Sequence, residues 1–234
     1  MKIGLWNIDH PTTNSGSQTK EDRFLAIAQY LTVADCDIYI ILEANSAMSL
    51  PGYFSEFSDE SPFKPLHRYY GEPNKYHQVA IYSKTPIQLL EVTEPINGLL
   101  CQVTSPFGPL TLYGNVITIK DRWVKGSKMT YTARLSEQLE AIEKVPKNMT
   151  LIGGDFNFRL GVPRWLSPHQ QMLSQSLKQG LMWPTQERED TVQHVMHTND
   201  LTARVSLDFS IRHSATGEKR LSDHPYMGID LNSV

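Results

Sequence analysis

Short apolar runs punctuated by glycine, proline and polar clusters dominate this chain. Residues 2–8, 37–43, 78–83, 87–93, 99–104, 110–117, 149–154, 205–212 and 225–231 read as strands. Several are apolar on both faces, as in sheets covered on both sides. Ser105-Pro106-Phe107-Gly108-Pro109 and Ser83-Lys84-Thr85-Pro86 read as turns, and spacings this close imply antiparallel pairing. A period near 3.6 appears in two places. Phe24, Ile27, Ala28 and Leu31 predict an amphipathic helix from Lys20 to about Val33, with Glu21 and Asp22 in its first turn, where the helix dipole favours negative charge. Leu135, Leu139 and Ile142 predict a second from about Tyr131 to Val145, stopped by Pro146, and a third is expected within 167–180. Strand, helix, strand at the start and again over 110–154, with meanders between, predicts two packed β-sheets flanked by helices. No Gly-x-Gly-x-x-Gly follows the first strand, which argues against a Rossmann array.

Polar residues interrupt this pattern where strands end. Gly153-Gly154-Asp155-Phe156-Asn157-Phe158 follows Met149-Thr150-Leu151-Ile152, so Asp155 and Asn157 fall at the C-terminal end of a buried strand. Ligands and catalytic groups in α/β proteins collect at such ends. Asn7 closes Ile3-Gly4-Leu5-Trp6, and Glu43 closes Ile38-Tyr39-Ile40-Ile41-Leu42. A carboxylate there is costly to bury unless it is paired or binds a cation, and a solvated strand end is the competing reading. Ser222-Asp223-His224-Pro225 adds an acid beside an imidazole near the other end of the chain. Glu, Asp and Asn oxygens suit Mg²⁺ or Mn²⁺, so Glu43 and Asn7 fit an open, catalytic cation site.

Composition narrows the picture. At 234 residues, with 40% hydrophobic content and no linker or repeat, the chain reads as a single domain, residues 1–234, because candidate residues run from Asn7 to His224. A net charge of −3 argues against holding nucleic acid by charge alone. Lys120, Arg122, Lys125 and Lys128 nevertheless cluster in one Trp-containing segment, and Arg159 and Arg164 follow the central motif. A solvated loop and a phosphate-contacting groove are equal readings of such runs. Only Cys36 and Cys101 occur, no secretory leader follows Met1, and no apolar run approaches the ~18 residues needed to cross a bilayer. A cytoplasmic protein with reduced thiols and no membrane insertion is expected. Nothing in the sequence assigns an oligomeric state.

Trp6-Asn7, Leu42-Glu43, Gly154-Asp155-Phe156-Asn157, Leu207-Asp208-Phe209 and Ser222-Asp223-His224 stand in the order found in the endonuclease/exonuclease/phosphatase superfamily of deoxyribonuclease-like, metal-dependent phosphoesterases, which the chain resembles over its whole length. The resemblance implies a four-layer α/β sandwich with the site at one rim of two mixed sheets. It implies His224 as general base, Asp208 as its carboxylate partner, Asp155 as the residue that orients or activates water, and Asn157 as a contact to the scissile phosphate. An imidazole suits that proton transfer, and a carboxylate on its other nitrogen fixes the tautomer. Glu43, with Asn7 and Asp223, would hold the Mg²⁺ or Mn²⁺ that neutralises phosphate charge. The implied reaction is in-line hydrolysis of a phosphodiester, with nucleic acid, DNA or RNA, the leading substrate. A phosphatase or phosphodiesterase acting on a small or lipid-derived phosphoester is the alternative, and a non-catalytic phosphate-binding module a further one.

The chain departs from the family pattern at Val116, which stands where many members carry a phosphate-contacting His or Tyr. Asn115, or Lys120 and Arg122, are the expected replacements. His194 and His197 are three apart but lack a third ligand, so they read as loop or surface residues. Trp123, Trp165 and Trp183 fall in expected loops, equally suited to stack on a base or to anchor the loop. No Gly-x-Ser-x-Gly elbow or P-loop competes for the chemistry.

Overall fold

A computed structural model describes residues 1–11, 18–60, 75–118, 130–157, 180–211 and 221–234. Two mixed sheets lie face to face. In the first, the spatial order is β10 (Leu201–Asp208), β11 (Tyr226–Ser233), β1 (Lys2–Asn7), β2 (Ile38–Asn45), β4 (Tyr76–Ser83) and β3 (Phe54–Phe57); in the second it is β5 (Ile87–Leu89), β6 (Gly98–Ser105), β7 (Gly108–Val116), β8 (Thr150–Asp155) and β9 (Gln193–His197). Each sheet has one parallel pair, β1 with β2 and β7 with β8; all other neighbours are antiparallel. Parallel neighbours need a long crossover. Helix α1 (Gln18–Ala34) supplies one and α2 (Tyr131–Lys144) the other.

Three apolar clusters account for the layers. Ile3, Leu5, Ile40, Leu42, Val79, Leu112, Leu151 and Val195 fill the space between the sheets. Phe24, Ile27 and Leu31 of α1 pack on Trp6, Tyr39 and Ile41, while Leu135 and Ile142 of α2 pack on Tyr113, Ile152 and Met196. Helix, sheet, sheet, helix is the expected four-layer sandwich. All eight residues of β2 are buried because the strand is covered on both faces. The sheets pack tightly at Gly114, where an added Cβ would stand 2.4 Å from Val79 Cγ1.

Strand directions gather one rim. β1, β2, β8 and β10 end there, and the antiparallel β9 and β11 begin there. Helix α2 fixes part of this edge: Thr130 caps it by accepting from the Ala133 N–H, and buried Gln138 donates to the Val116 carbonyl and accepts from Thr118 N.

Expected and observed elements differ in places. Strand β5 ends at Leu89 rather than residue 93, and β10 runs 201–208 rather than 205–212. The apolar pattern does not predict β3 or β9. His194 and His197 are corrected here: both are buried on β9, on opposite faces, with Nδ1 3.2 Å from the Thr185 carbonyl and 2.9 Å from the Thr198 carbonyl respectively. Three is a same-face spacing on a helix but an opposite-face spacing on a strand. The helix expected within 167–180, the basic residues Lys120, Arg122, Lys125, Lys128, Arg159 and Arg164, and Trp123 and Trp165 lie outside the described residues. No helix among the described residues is long and apolar enough to cross a membrane.

Candidate active site

Asp155 is the hub of the rim. It ends β8 on the face turned toward the other sheet, with Val116 and Gln193 as its cross-strand neighbours. Its Oδ1 accepts the Asn157 N–H at 2.8 Å, its Oδ2 accepts Asn7 Nδ2 at 2.8 Å, and His224 Nε2 stands 3.6 Å from Oδ2. Burial pushes the Asp155 carboxyl up to about 6; His224, the Asn157 N–H and Asn7 pull it back, and the Glu43 charge pushes it further up. Asn157 adopts a left-handed backbone, φ 55°, and its Nδ2 donates to the Ile117 carbonyl at 2.7 Å.

Asn7 is engaged through all four of its polar groups. Its N–H donates to Gln193 Oε1 at 2.6 Å, its carbonyl accepts Ser222 Oγ at 2.6 Å, its Oδ1 accepts the Asp9 N–H at 3.0 Å, and its Nδ2 reaches Asp155. Oδ1 keeps a second lone pair for a cation. Ser222 Oγ also accepts the His224 N–H, and Trp6 Nε1 donates to the His224 carbonyl. The segment carrying the imidazole is thereby tied to the strand carrying Asn7.

Acidic groups converge beside this hub. Glu43 is buried, with His10 Nε2 3.4 Å from its Oε2. Burial raises the Asp9 carboxyl, Arg23 lowers it, and the nearby charges of Glu43 and Asp223 raise it again. Asp223 Oδ1 lies 3.5 Å from His224 Nε2, its side chain 78% exposed. Asp9, Arg23, Leu221, Ser222 and Asp223 line a cleft of about 320 Å³. Arg23 of α1 spans it, donating to the carbonyls of Leu221, Ile8 and Asp9. Backbone strain accumulates here too: Asp9, His10, Glu43 and Asn157 all have φ between 40° and 55°. Left-handed non-glycine residues cost on the order of 1–3 kcal/mol each and cluster at functional sites.

The oxygens of Glu43, Asn7, Asp9 and Asp223 fit a hard divalent cation. Among the described residues no three His, Cys, Asp or Glu side chains form a ready-made cage. An open set of this kind suits Mg²⁺, which keeps waters and substrate oxygens in its shell.

Two expected residues are placed apart from this cluster of contacts. Asp208 ends β10 opposite Tyr226, but its Oδ1 accepts Ser210 N and Oγ at 2.7 and 2.6 Å, and no contact among the described residues joins it to the His224 imidazole. Burial and the Asp208 charge together push the Tyr30 phenol up to about 12. Asn115 faces the α2 layer beside Tyr113, on the side of β7 opposite Asp155, and its amide is 2% exposed without a hydrogen-bond partner among the described residues. The structure therefore places it on the face of β7 away from Asp155. Val116 does share the Asp155 face, packed in the inter-sheet core.

Sequence reading passes over Asp9, Arg23 and Gln193 and takes His10 for an isolated loop or surface histidine. Asp9 carries a signal, two residues beyond Asn7 on the same alternation; the others have none.

Residues 4–224 match the sequence profile of the Endonuclease/Exonuclease/phosphatase family. The chain belongs to this family of hydrolases, which act on phosphoester bonds and are generally divalent-metal dependent. Solved structures share the fold. TDP2 of D. rerio, humanized by 14 mutations, is 17% identical with a TM-score of 0.66, covering 100% of this chain and 99% of that one. A point variant of the 3′ phosphatase NExo from Neisseria, bound to a product DNA hairpin, is 15% identical with a TM-score of 0.65, covering 99% of both chains. The human Nocturnin catalytic domain with bound sulfate is 14% identical with a TM-score of 0.64, covering 100% of this chain and 93% of that one. No curated protein matches the chain by sequence.

Proposed function

We propose that this chain is a Mg²⁺- or Mn²⁺-dependent phosphodiesterase that cleaves DNA or RNA. The observation that carries this reading is the joining of Asn7, Asp155 and His224 on one rim with the acidic group of Glu43, Asp9 and Asp223 beside them. The DNA product bound in the NExo relative and the single-stranded DNA product in a D. rerio TDP2 structure support a nucleic-acid substrate. Buried free thiols at Cys36 and Cys101 support a cytoplasmic location.

In this reading Glu43, with Asn7, Asp9 and Asp223, holds the cation, whose charge offsets that of the phosphate and of the leaving oxygen. A water attacks phosphorus in line with the leaving oxygen and gives up its proton to His224, aided by Asp155. Asp155 and Asn7 fix where the imidazole and the phosphate meet. Asn157, held in its turn by Asp155, donates the second hydrogen of its Nδ2 to the phosphate. Lys120 and Arg122 supply positive charge to the nucleic-acid backbone.

The test is hydrolysis of abasic, double-stranded and single-stranded DNA, RNA, inositol phosphates and sphingomyelin with Mg²⁺, Mn²⁺ or EDTA, beside His224→Ala. Cleavage of a nucleic acid that needs both metal and His224 is the expected result. Turnover of only a small or lipid-derived phosphoester reassigns the substrate, and tight binding with no product in any arm defeats the enzymatic reading.

A further inference from the structure

Gln193 occupies a position that no motif marks. It opens β9 as the cross-strand partner of Asp155, so the two side chains leave the second sheet side by side on its inner face. Both cross to the first sheet, and both touch the same two places there. Asp155 meets Asn7 and His224 through their side chains; Gln193 meets Asn7 and Pro225, the neighbour of His224, through their backbones. Oε1 accepts the Asn7 N–H at 2.6 Å, and Nε2 donates to the Pro225 carbonyl at 2.8 Å. The Thr191 hydroxyl accepts the Gln193 N–H at 3.0 Å, and the side chain is wholly buried.

We propose that Gln193 is the positioning residue that sets the separation of the Asn7 strand and the His224 segment from Asp155. The chemistry of the gap selects this side chain. A backbone N–H can only donate and a proline carbonyl can only accept, so the bridging group must accept at one arm and donate at the other. Glutamine does both at this reach; asparagine is one carbon shorter, and an ionised glutamate has no donor. Without the bridge, the side-chain contacts of Asp155 to the opposite sheet among the described residues are one hydrogen bond from Asn7 and a 3.6 Å approach of His224. A misplacement of about 1 Å at such a site costs about 100-fold in rate. This inference rests on the reading of Asn7, Asp155 and His224 given above.

The experiment compares Gln193→Met, which keeps the stem and loses both bonds, with Gln193→Glu, which keeps the acceptor arm. Glu43→Ala and His224→Ala serve as controls. Metal-free unfolding reports the folded fraction, Mn²⁺ affinity is read by electron paramagnetic resonance without any substrate, and kcat and KM are taken on whichever substrate the wild type turns over. Folded Gln193→Met is expected to lose about 10- to 100-fold in kcat or Mn²⁺ affinity, with KM nearly unchanged. Gln193→Glu is expected to lose kcat while remaining folded. Wild-type kcat and Mn²⁺ affinity in a folded variant, or a rate loss that only matches the unfolded fraction, overturns the positioning role even when both controls are inactive. Undiminished activity in the controls overturns the site reading instead, and this inference with it.

Discussion

Nδ2 of Asn7 and Oδ2 of Asp155 lie 2.8 Å apart across the boundary between the two sheets. Each residue ends a strand of its own sheet, so this bond exists only when the sandwich is closed.

Removing the Asn7 side chain should damage both stability and turnover. Asn7→Ala leaves Asp155 Oδ2 and the Asp9 N–H without their partner, a buried loss of about 1–3 kcal/mol in urea unfolding. Asn7→Asp sets two carboxylates against each other and should be worse near neutral pH than in acid. Equal midpoints for wild type and Asn7→Ala would show that the bond contributes nothing.

Loss of the imidazole should separate chemistry from folding. His224→Ala is expected to lower kcat by about 10²–10⁴-fold, with KM and melting temperature near wild type, because the ring is partly exposed and makes no hydrogen bond among the described residues. Single-turnover kinetics with saturating Mn²⁺ measures this directly.

The raised Asp155 carboxyl has a defined effect on stability. Its folded value, about 6, exceeds the ordinary 3.8, so between these values the folded state binds more proton than the unfolded chain. Its contribution is therefore present in acid and lost as pH rises through about 6. Metal-free wild type should lose stability over that window relative to Asp155→Ala. Urea midpoints of the two proteins at about pH 4 and about pH 7 compare the slopes, and parallel lines would refute the assignment.

A divalent cation should stabilise the fold through Glu43. At about a hundred times its dissociation constant it adds about 2.7 kcal/mol, or about 5–10 °C in melting temperature for a chain of this size. Glu43→Ala should abolish the Mn²⁺-dependent rise and EDTA should reverse it in wild type. A rise that persists in Glu43→Ala places the cation elsewhere.

Packing around the central motif can be tested as a pair. A Cβ on Gly154 would stand 2.5 Å from Asn115 Oδ1 and 2.7 Å from its Cγ, so Gly154→Ala should cost about 1–3 kcal/mol. Asn115→Ala should cost little, since its amide has no partner among the described residues, and in the double variant it should recover most of the Gly154→Ala loss. Additive effects in thermal unfolding would break the link.

The sheet cores are legible in the sequence because their signal is local: near-continuous apolar runs such as Ile38–Leu42 can only be covered strands, and a polar residue finishing one is visible in sequence. Asn7, Glu43 and Asp155 stand out in this way. β9 escapes because Gln193-His194-Val195-Met196-His197 is mostly polar; it is buried because Thr185 and Thr198 satisfy its histidines, partners that periodicity does not reveal. β3 is a short edge strand with exposed Phe54 and Ser55. Arg23 and Gln193 are invisible for a different reason: they act by side-chain bonds to distant backbone groups, which leave no mark on the identity of the partner. Asp208 is found by its order in the chain, which does not encode its contact with Ser210.

The pairing of β1 with β11 sets Lys2 opposite Asp230 and Leu5 opposite Met227, so neighbouring strands come from opposite ends of the chain. Contacts of such long range slow folding, toward the millisecond-to-second range typical of non-local β-topologies. During synthesis Asn7 and Glu43 leave the ribosome well before His224 and the strand that seats it. In the proposed reading, the site is therefore incomplete on a nascent chain until β11 has emerged and docked, and the His224 step is withheld until then.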